Sequence, residues 1–297
     1  LPMIAFLGMT GCAGTEITET THVQRSSTAL STTSVTHAGD DLRTGWYSNQ
    51  PRLDPTTVSG PSFGKLFSTP VNGQVYAQPL VSFGTLLIAT ETNNVYGLDA
   101  ETGRPRWSRQ VGIPWNPSDL GCADLTPSIG ITGTPVIDSA THTAYFFAKA
   151  YRTGASGPAA YYAHATDVDT GVERAGFPVL IAGVAANDPT RVFDATYVLQ
   201  RPGLLWMGGV AYAAFGGHCD VEPYTGWVVG VSAAAKITTL WSAMGNRRSG
   251  AGIWQSGGGL VSDGPGQILL TTGDGAAPGP APIDGHSPPT SLGQSVV

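Results

Sequence analysis

Charge is scarce in this chain. Only 12% of its 297 residues are Asp, Glu, Lys or Arg, and 15 basic against 21 acidic side chains leave a net charge of −6. Soluble domains usually carry about a quarter. Arg247-Arg248 is the one adjacent basic pair, and basic residues do not interleave with aromatic ones. That excludes a nucleic-acid footprint, which needs a basic stripe. Helix-forming runs of Glu, Lys, Leu and Ala are missing, and no apolar stretch is long enough to span a bilayer as a helix. The three cysteines, at 12, 122 and 219, have neither Cys-x-x-Cys nor Cys/His zinc spacing. Gly257-Gly258-Gly259 lacks the Lys-Ser/Thr of a phosphate loop, and no Gly-x-Ser-x-Gly elbow marks a hydrolase.

What is present points to strands. There are 40 Gly and 22 Pro, and the apolar fraction of 41% is enough for a substantial core. Short apolar runs rich in Val, Thr and aromatic residues alternate with turn residues, which predicts an all-β chain of many short strands. One stretch sets the pattern: Val95-Tyr-Gly-Leu-Asp-Ala-Glu-Thr-Gly-Arg-Pro-Arg-Trp107. Its Asp-x-x-Thr-Gly turn joins two strands. The Asp side chain bonds backbone N–H groups further on, and Gly takes a positive φ at no steric cost. A second copy runs from Ala165 to Arg174, with Asp167, Thr170 and Gly171 repeating Asp99, Thr102 and Gly103. A third, at 230–241, keeps Leu240-Trp241 but has lost the Asp and the Thr-Gly.

This turn resembles the repeat of the pyrroloquinoline-quinone (PQQ)-like β-propellers, the quinoprotein alcohol dehydrogenase-like superfamily. Residues 73–80, 129–138, 216–220 and 252–259 look like blocks of one bacterial subgroup. The resemblance implies a β-propeller of four-stranded antiparallel blades over residues 39–297, with about four blades present and the ring incomplete. The chain is accordingly expected to be a fragment of a longer protein. Trp46 to Phe67 resembles the lead-in of the family, Asn93-Asn94 suits a two-residue hairpin turn, and residues 182–202 look like a long polar connection.

Ahead of the propeller, residues 1–12 read as the end of an export signal, and Met9-Thr10-Gly11-Cys12 resembles a bacterial lipobox that would place lipid on Cys12. The competing reading is a buried N-terminal strand. Residues 13–38, rich in Thr and Ser, are expected to be a disordered tether. The chain is thus expected outside the cytoplasm, lipid-anchored to the bacterial envelope or secreted. Membrane contact would come only through that anchor.

The resemblance leaves two functions open. One is a binding or scaffold module for envelope proteins or polymers. The other is an alcohol- or sugar-dehydrogenase type of oxidoreductase with PQQ and calcium on the ring axis, its catalytic residues partly elsewhere. The type that stacks adjacent cysteines on the quinone is not supported, because no such pair exists. No catalytic or metal-ligating residue is assigned. As ligand-binding candidates, His218 and Asp220 form a polar cluster after a strand. Gln78 and Gln255 precede strands that line the channel in this family. Asp167 to Gly171 has oxygen side chains at calcium-like spacing, but the repeat turn accounts for them. Export and the family picture, in which inter-blade loops meet at one face, imply a Cys122–Cys219 disulfide. Two separate buried thiols are the alternative.

Overall fold

The structure, a computed structural model, describes residues 33–48, 50, 53–61, 63–245, 248–275 and 291–297. Cys12 and most of the expected tether lie outside these. Blade one is an up-and-down meander of β1 (Leu80–Ser82), β2 (Thr85–Ala89), β3 (Asn94–Asp99) and β4 (Pro105–Gln110). Blade two repeats it with β5 (Val136–Asp138), β6 (Thr143–Tyr151), β7 (Ala159–Asp167) and β8 (Val179–Leu180). A small hairpin, β9 (Val184–Ala185) and β10 (Asp188–Val192), follows. In blade three the innermost strand is broken into β11 (Val198–Gln200) and β12 (Leu205–Met207). Both pair with β13 (Val210–Gly217), which continues to β14 (Trp227–Ser232) and β15 (Ile237–Ser242). A fourth unit is held by isolated bridges, Val261 with Leu269 and Thr271 with Val296. The fold class is all-β, built of propeller-type blades.

Two expectations need correction. The β2–β3 turn spans residues 90–93 rather than the pair Asn93-Asn94, with Asn93 at φ 57°. The 182–202 connection carries β9, β10 and β11: Val198 and Leu199 are buried in β11 against β13, while β9 and β10 keep Val184 and Val192 exposed, so no apolar run marked them.

Packing follows from the two-residue period of a strand buried on both faces. Along β6, Ala144, Phe146 and Ala148 join a core with Leu80, Leu87 and Val95 of blade one. Tyr145 and Phe147 face the other way, into a core with Phe215, Trp227 and Val229 of blade three. Truncating a buried aromatic such as Phe147 would cost about 3–5 kcal/mol. On the outer edge, β4 alternates exposed Arg106, Ser108 and Gln110 with its inward residues, which blunts the unpaired edge.

The repeat turns form as their chemistry requires. Asp99 accepts from the Thr102 backbone N–H (2.9 Å) and hydroxyl (2.7 Å), and Asp167 accepts likewise from Thr170 (both 2.8 Å). Gly103 and Gly171 sit at φ 68° and 74°. An arginine seven positions on closes each turn: Arg106 to Asp99 at 2.8 Å and Arg174 to Asp167 at 3.0 Å. Trp107 then docks blade one onto blade two, donating from its indole N–H to Val168 O (2.9 Å). A Cβ on Gly171 would stand 2.6 Å from that ring, so this glycine is a packing requirement as well as a turn. Phe67 covers Gly103 in the same manner. The lead-in therefore places an aromatic ring on blade one where an outer strand's tryptophan stands on blade two.

The folded part also reaches back into the expected tether. Ser34 exchanges two backbone hydrogen bonds with Val81 (2.8 and 2.9 Å), and Val35 O accepts from Ile137 N (2.8 Å). Residues 34 and 35 thus lie between the inner edges of blades one and two. Their side chains are small or β-branched, so the backbone fits where a bulkier run would not.

Candidate functional site

At the inner ends of the blades, residues 36–43 cross the chain's own axis-facing groups. Arg43 donates to Leu260 O (2.9 Å) and Leu204 O (3.0 Å), and Thr36 donates to Leu204 O (3.4 Å). Burial of the Arg43 guanidinium pulls its pKa below the usual value. A Cβ on Gly259 would meet Arg43 at 2.7 Å, which gives the triple-glycine run its reason. Gln78 belongs to this arrangement. Its Oε1 accepts from Ala38 N (3.1 Å), its Nε2 donates to Tyr47 Oη (3.2 Å), and its own N–H reaches Thr134 Oγ1 (2.9 Å).

Gln255 lines a cleft of about 410 Å³ with Gly252, Trp254, Thr271, Thr272 and Gly273. Its amide is committed as well, accepting from the Thr271 N–H (2.9 Å) and hydroxyl (2.7 Å) and donating to Gly259 O (3.1 Å). Trp254 stands over Gly216 of β13 and also borders a second cleft of about 270 Å³, with Asp124, Leu125, Leu199, Arg201 and Gly257.

The densest buried chemistry lies beside that second cleft. Cys122 and Cys219 form a disulfide with α-carbons 6.3 Å apart. It ties the loop that leaves blade one to the turn after β13. The loop is pinned at its base, where Trp115 and Ile129 exchange backbone hydrogen bonds (3.0 and 2.8 Å). Asp124 N donates to Cys122 Sγ at 3.3 Å. His218 is fully buried, with its ring 6.0 Å from that of Trp115, edge to face. Neither ring nitrogen has a partner in hydrogen-bond geometry, although the Asp124 carboxylate and backbone carbonyl lie close enough to favour its charged form. Burial, aided by the nearby Lys149, pushes the His218 pKa down to about 4, so the imidazole is neutral at neutral pH. That makes it a poor general base but a competent ligand.

Lys149 of β6 is also fully buried. Its ammonium sits 4.2 Å from the Trp115 ring centroid and donates to Val198 O (3.0 Å) and Thr196 O (3.4 Å). Burial lowers its pKa to about 7. Glu91, in the β2–β3 turn, accepts from Gly130 N (2.7 Å) and Thr132 Oγ1 (3.1 Å), leaving Oε1 unpartnered. Burial raises its pKa to about 7.

Of the sequence candidates, His218 and the disulfide converge, Gln255 lines the neighbouring cleft, and Gln78 and Asp220 line neither. Asp220 is exposed beside Tyr224 and raises the pKa of that hydroxyl, an effect that follows burial in size. Lys149, Glu91 and Trp115 were not singled out from sequence. A lysine inside the apolar run from Ala144 to Tyr151 carried a signal; Glu91, in a turn, carried none.

No family model matches the chain, and no curated protein matches it. Among solved structures it is similar to BamB from Moraxella catarrhalis, with a TM-score of 0.38 and 14% identity over 69% of this chain and 50% of that one. It is also similar to a europium-containing methanol dehydrogenase, with a TM-score of 0.40 and 13% identity over 66% of this chain and 37% of that one. The chain spans half or less of the length of each.

Proposed function

We propose that this chain acts as a binding or scaffold module at the cell envelope, with its lead-in as the recognition surface. The observation that carries the reading is where apolar side chains meet solvent. Leu42, Trp46, Leu53, Phe63 and Leu66 are each more than half exposed, and all fall within one 25-residue stretch. Exposed apolar surface at that density marks interaction sites. The disulfide supports a location in an oxidising compartment. A photo-crosslinking residue at Trp46 is expected to trap discrete protein or polymer adducts in envelope preparations, and the same residue at exposed Val172 is not. Equal labelling at both positions would overturn the reading.

PQQ with calcium is the competing function, and the described residues fit it poorly. Gln78 and Gln255 are bonded to the chain's own backbone and side chains. The one group of three or more candidate metal ligands among the described residues is Cys122, His218 and Cys219. Calcium is a hard cation that takes oxygen ligands. Adding PQQ and calcium is therefore expected to leave the melting temperature and dye-linked alcohol or sugar oxidation unchanged. A ligand at 100 times its dissociation constant would stabilise by about 2.7 kcal/mol, a shift easily seen.

Anchoring through Cys12 completes the proposal. A lipidated chain partitions into detergent, and Cys12→Ser is expected to move it to the aqueous phase. Unchanged partitioning of the variant would remove the anchor from the reading.

A further inference from the structure

We propose that Cys122, Cys219 and His218 form a copper(I) site when the disulfide is reduced, a role independent of the scaffold reading. The ligand atoms of the three residues already lie within 4.8 Å of one another. Two thiolates and an imidazole are soft donors, suited to copper(I) and able to complete a three-coordinate site without a further group. The histidine is the independent observation. It is fully buried, sits next to Cys219 in the chain, and leaves both nitrogens without a hydrogen-bond partner. An imidazole buried without partners forfeits the hydrogen bonds it would make to water. A metal ion would take the lone pair of the unprotonated ring nitrogen.

The surroundings agree in charge. Two thiolates with one copper(I) carry a net charge of −1. Lys149 is buried beside the same Trp115 and makes no ion pair among the described residues. Its ammonium would balance that charge. The Asp124 amide that donates to Cys122 Sγ would then support a thiolate as an outer partner does for a metal-bound ligand.

Access and electron balance follow from burial. Cys219 is exposed while Cys122 is 6% exposed. A thiolate of an external dithiol attacks Cys219 Sγ, breaking the disulfide, releasing Cys122 as a thiolate and leaving Cys219 in a mixed disulfide with the reductant. The second thiol of the reductant resolves that intermediate and leaves as the oxidised disulfide, so two electrons reach the pair. Copper(I) then displaces the remaining thiol protons and binds both sulfurs and one His218 nitrogen.

The test uses the full chain carrying Cys12→Ser, so that Cys122 and Cys219 supply its only two thiols. The protein is reduced with a dithiol, freed of it anaerobically, and titrated with copper(I) against a chromogenic chelator. One equivalent should bind to the reduced chain and none to the disulfide form. X-ray absorption should report two sulfur neighbours and one nitrogen. His218→Gln keeps both cysteines and should weaken binding by about tenfold or more. No uptake by the reduced chain, equal affinity in the His218→Gln variant, or uptake of zinc but not copper(I) would each overturn the assignment. Should reduction unfold the chain, copper(I) must restore its near-ultraviolet circular dichroism; failure to do so would also overturn it.

Discussion

Replacing both Cys122 and Cys219 with alanine should lower the unfolding free energy by about 4 kcal/mol. The bond closes a loop of 97 residues, and the chain-entropy model gives about 4.7 kcal/mol for a loop near that length. It joins parts of the molecule that no other covalent link holds together. The loop leaving blade one would keep its base, where Trp115 pairs with Ile129, and its bonds to Tyr151 through Asn116 and Asp119; the turn after β13 would keep the bond from His218 N to Tyr197 O. Urea unfolding of the double variant against the parent, with both transitions shown to be reversible, provides the measurement. A loss under about 1 kcal/mol would show that packing around Trp115 holds the loop without the sulfurs.

Lys149→Met should stabilise the fold at pH 6 by about 1–4 kcal/mol, as replacements of buried charges by apolar side chains often do. The pH dependence identifies the cause. An unfolded lysine titrates near 10.5, and burial lowers the folded value to about 7. Below about pH 7 both states are protonated and the full cost of burying the ammonium is present. Between about 7 and 10.5 the unfolded chain holds more protons, so stability rises with pH across that window. The variant lacks this limb, and its advantage should shrink steadily towards pH 10. Val198 O and Thr196 O lose a donor in exchange, which subtracts about 1 kcal/mol for each bond. On the acid side two groups oppose each other. Glu91, raised to about 7, makes stability fall as pH rises from about 4.5; His218, lowered to about 4, makes it rise up to about 6.5. The alkaline limb is therefore the clean readout. Equal slopes for parent and variant between pH 7 and 10 would show that Lys149 does not titrate there.

The parts of this molecule legible in its sequence are those decided within a few residues. Asp99, Thr102 and Gly103 close a turn through their own side chains, so the turn, its second copy at Asp167 and the strands on either side could be read directly. The same locality explains the misses. A glycine that must lie beneath a distant ring looks like any other glycine: nothing near Gly103 names Phe67, and nothing near Gly259 names Arg43. Gln78 and Gln255 were expected to face a channel; in the structure residues 36–43 meet Gln78 and Thr271 meets Gln255. The cysteine pairing followed from the count of cysteines and the family picture, whereas the burial of His218 beside Trp115 depends on two segments about 100 positions apart.

The bonds from Arg43 to Leu204 and Leu260 join residues 161 and 217 positions apart. Contacts of that separation require most of the chain to be present before they form, and folds dominated by them assemble slowly. During synthesis Ser34, Val35 and Ala38 can settle against blades one and two as these emerge, but Arg43 has no Leu204 or Leu260 carbonyl to bond until those residues follow. Blades one and two can form early from neighbouring hairpins, while the crossing segment is completed only at residue 260. Trp46, Phe63 and Leu66 stay exposed in the folded chain, and in that interval the segment next to them is not yet held by Arg43, a state more open to aggregation or to a chaperone. Docking of Arg43 thus waits for residue 260 although Arg43 itself is made early.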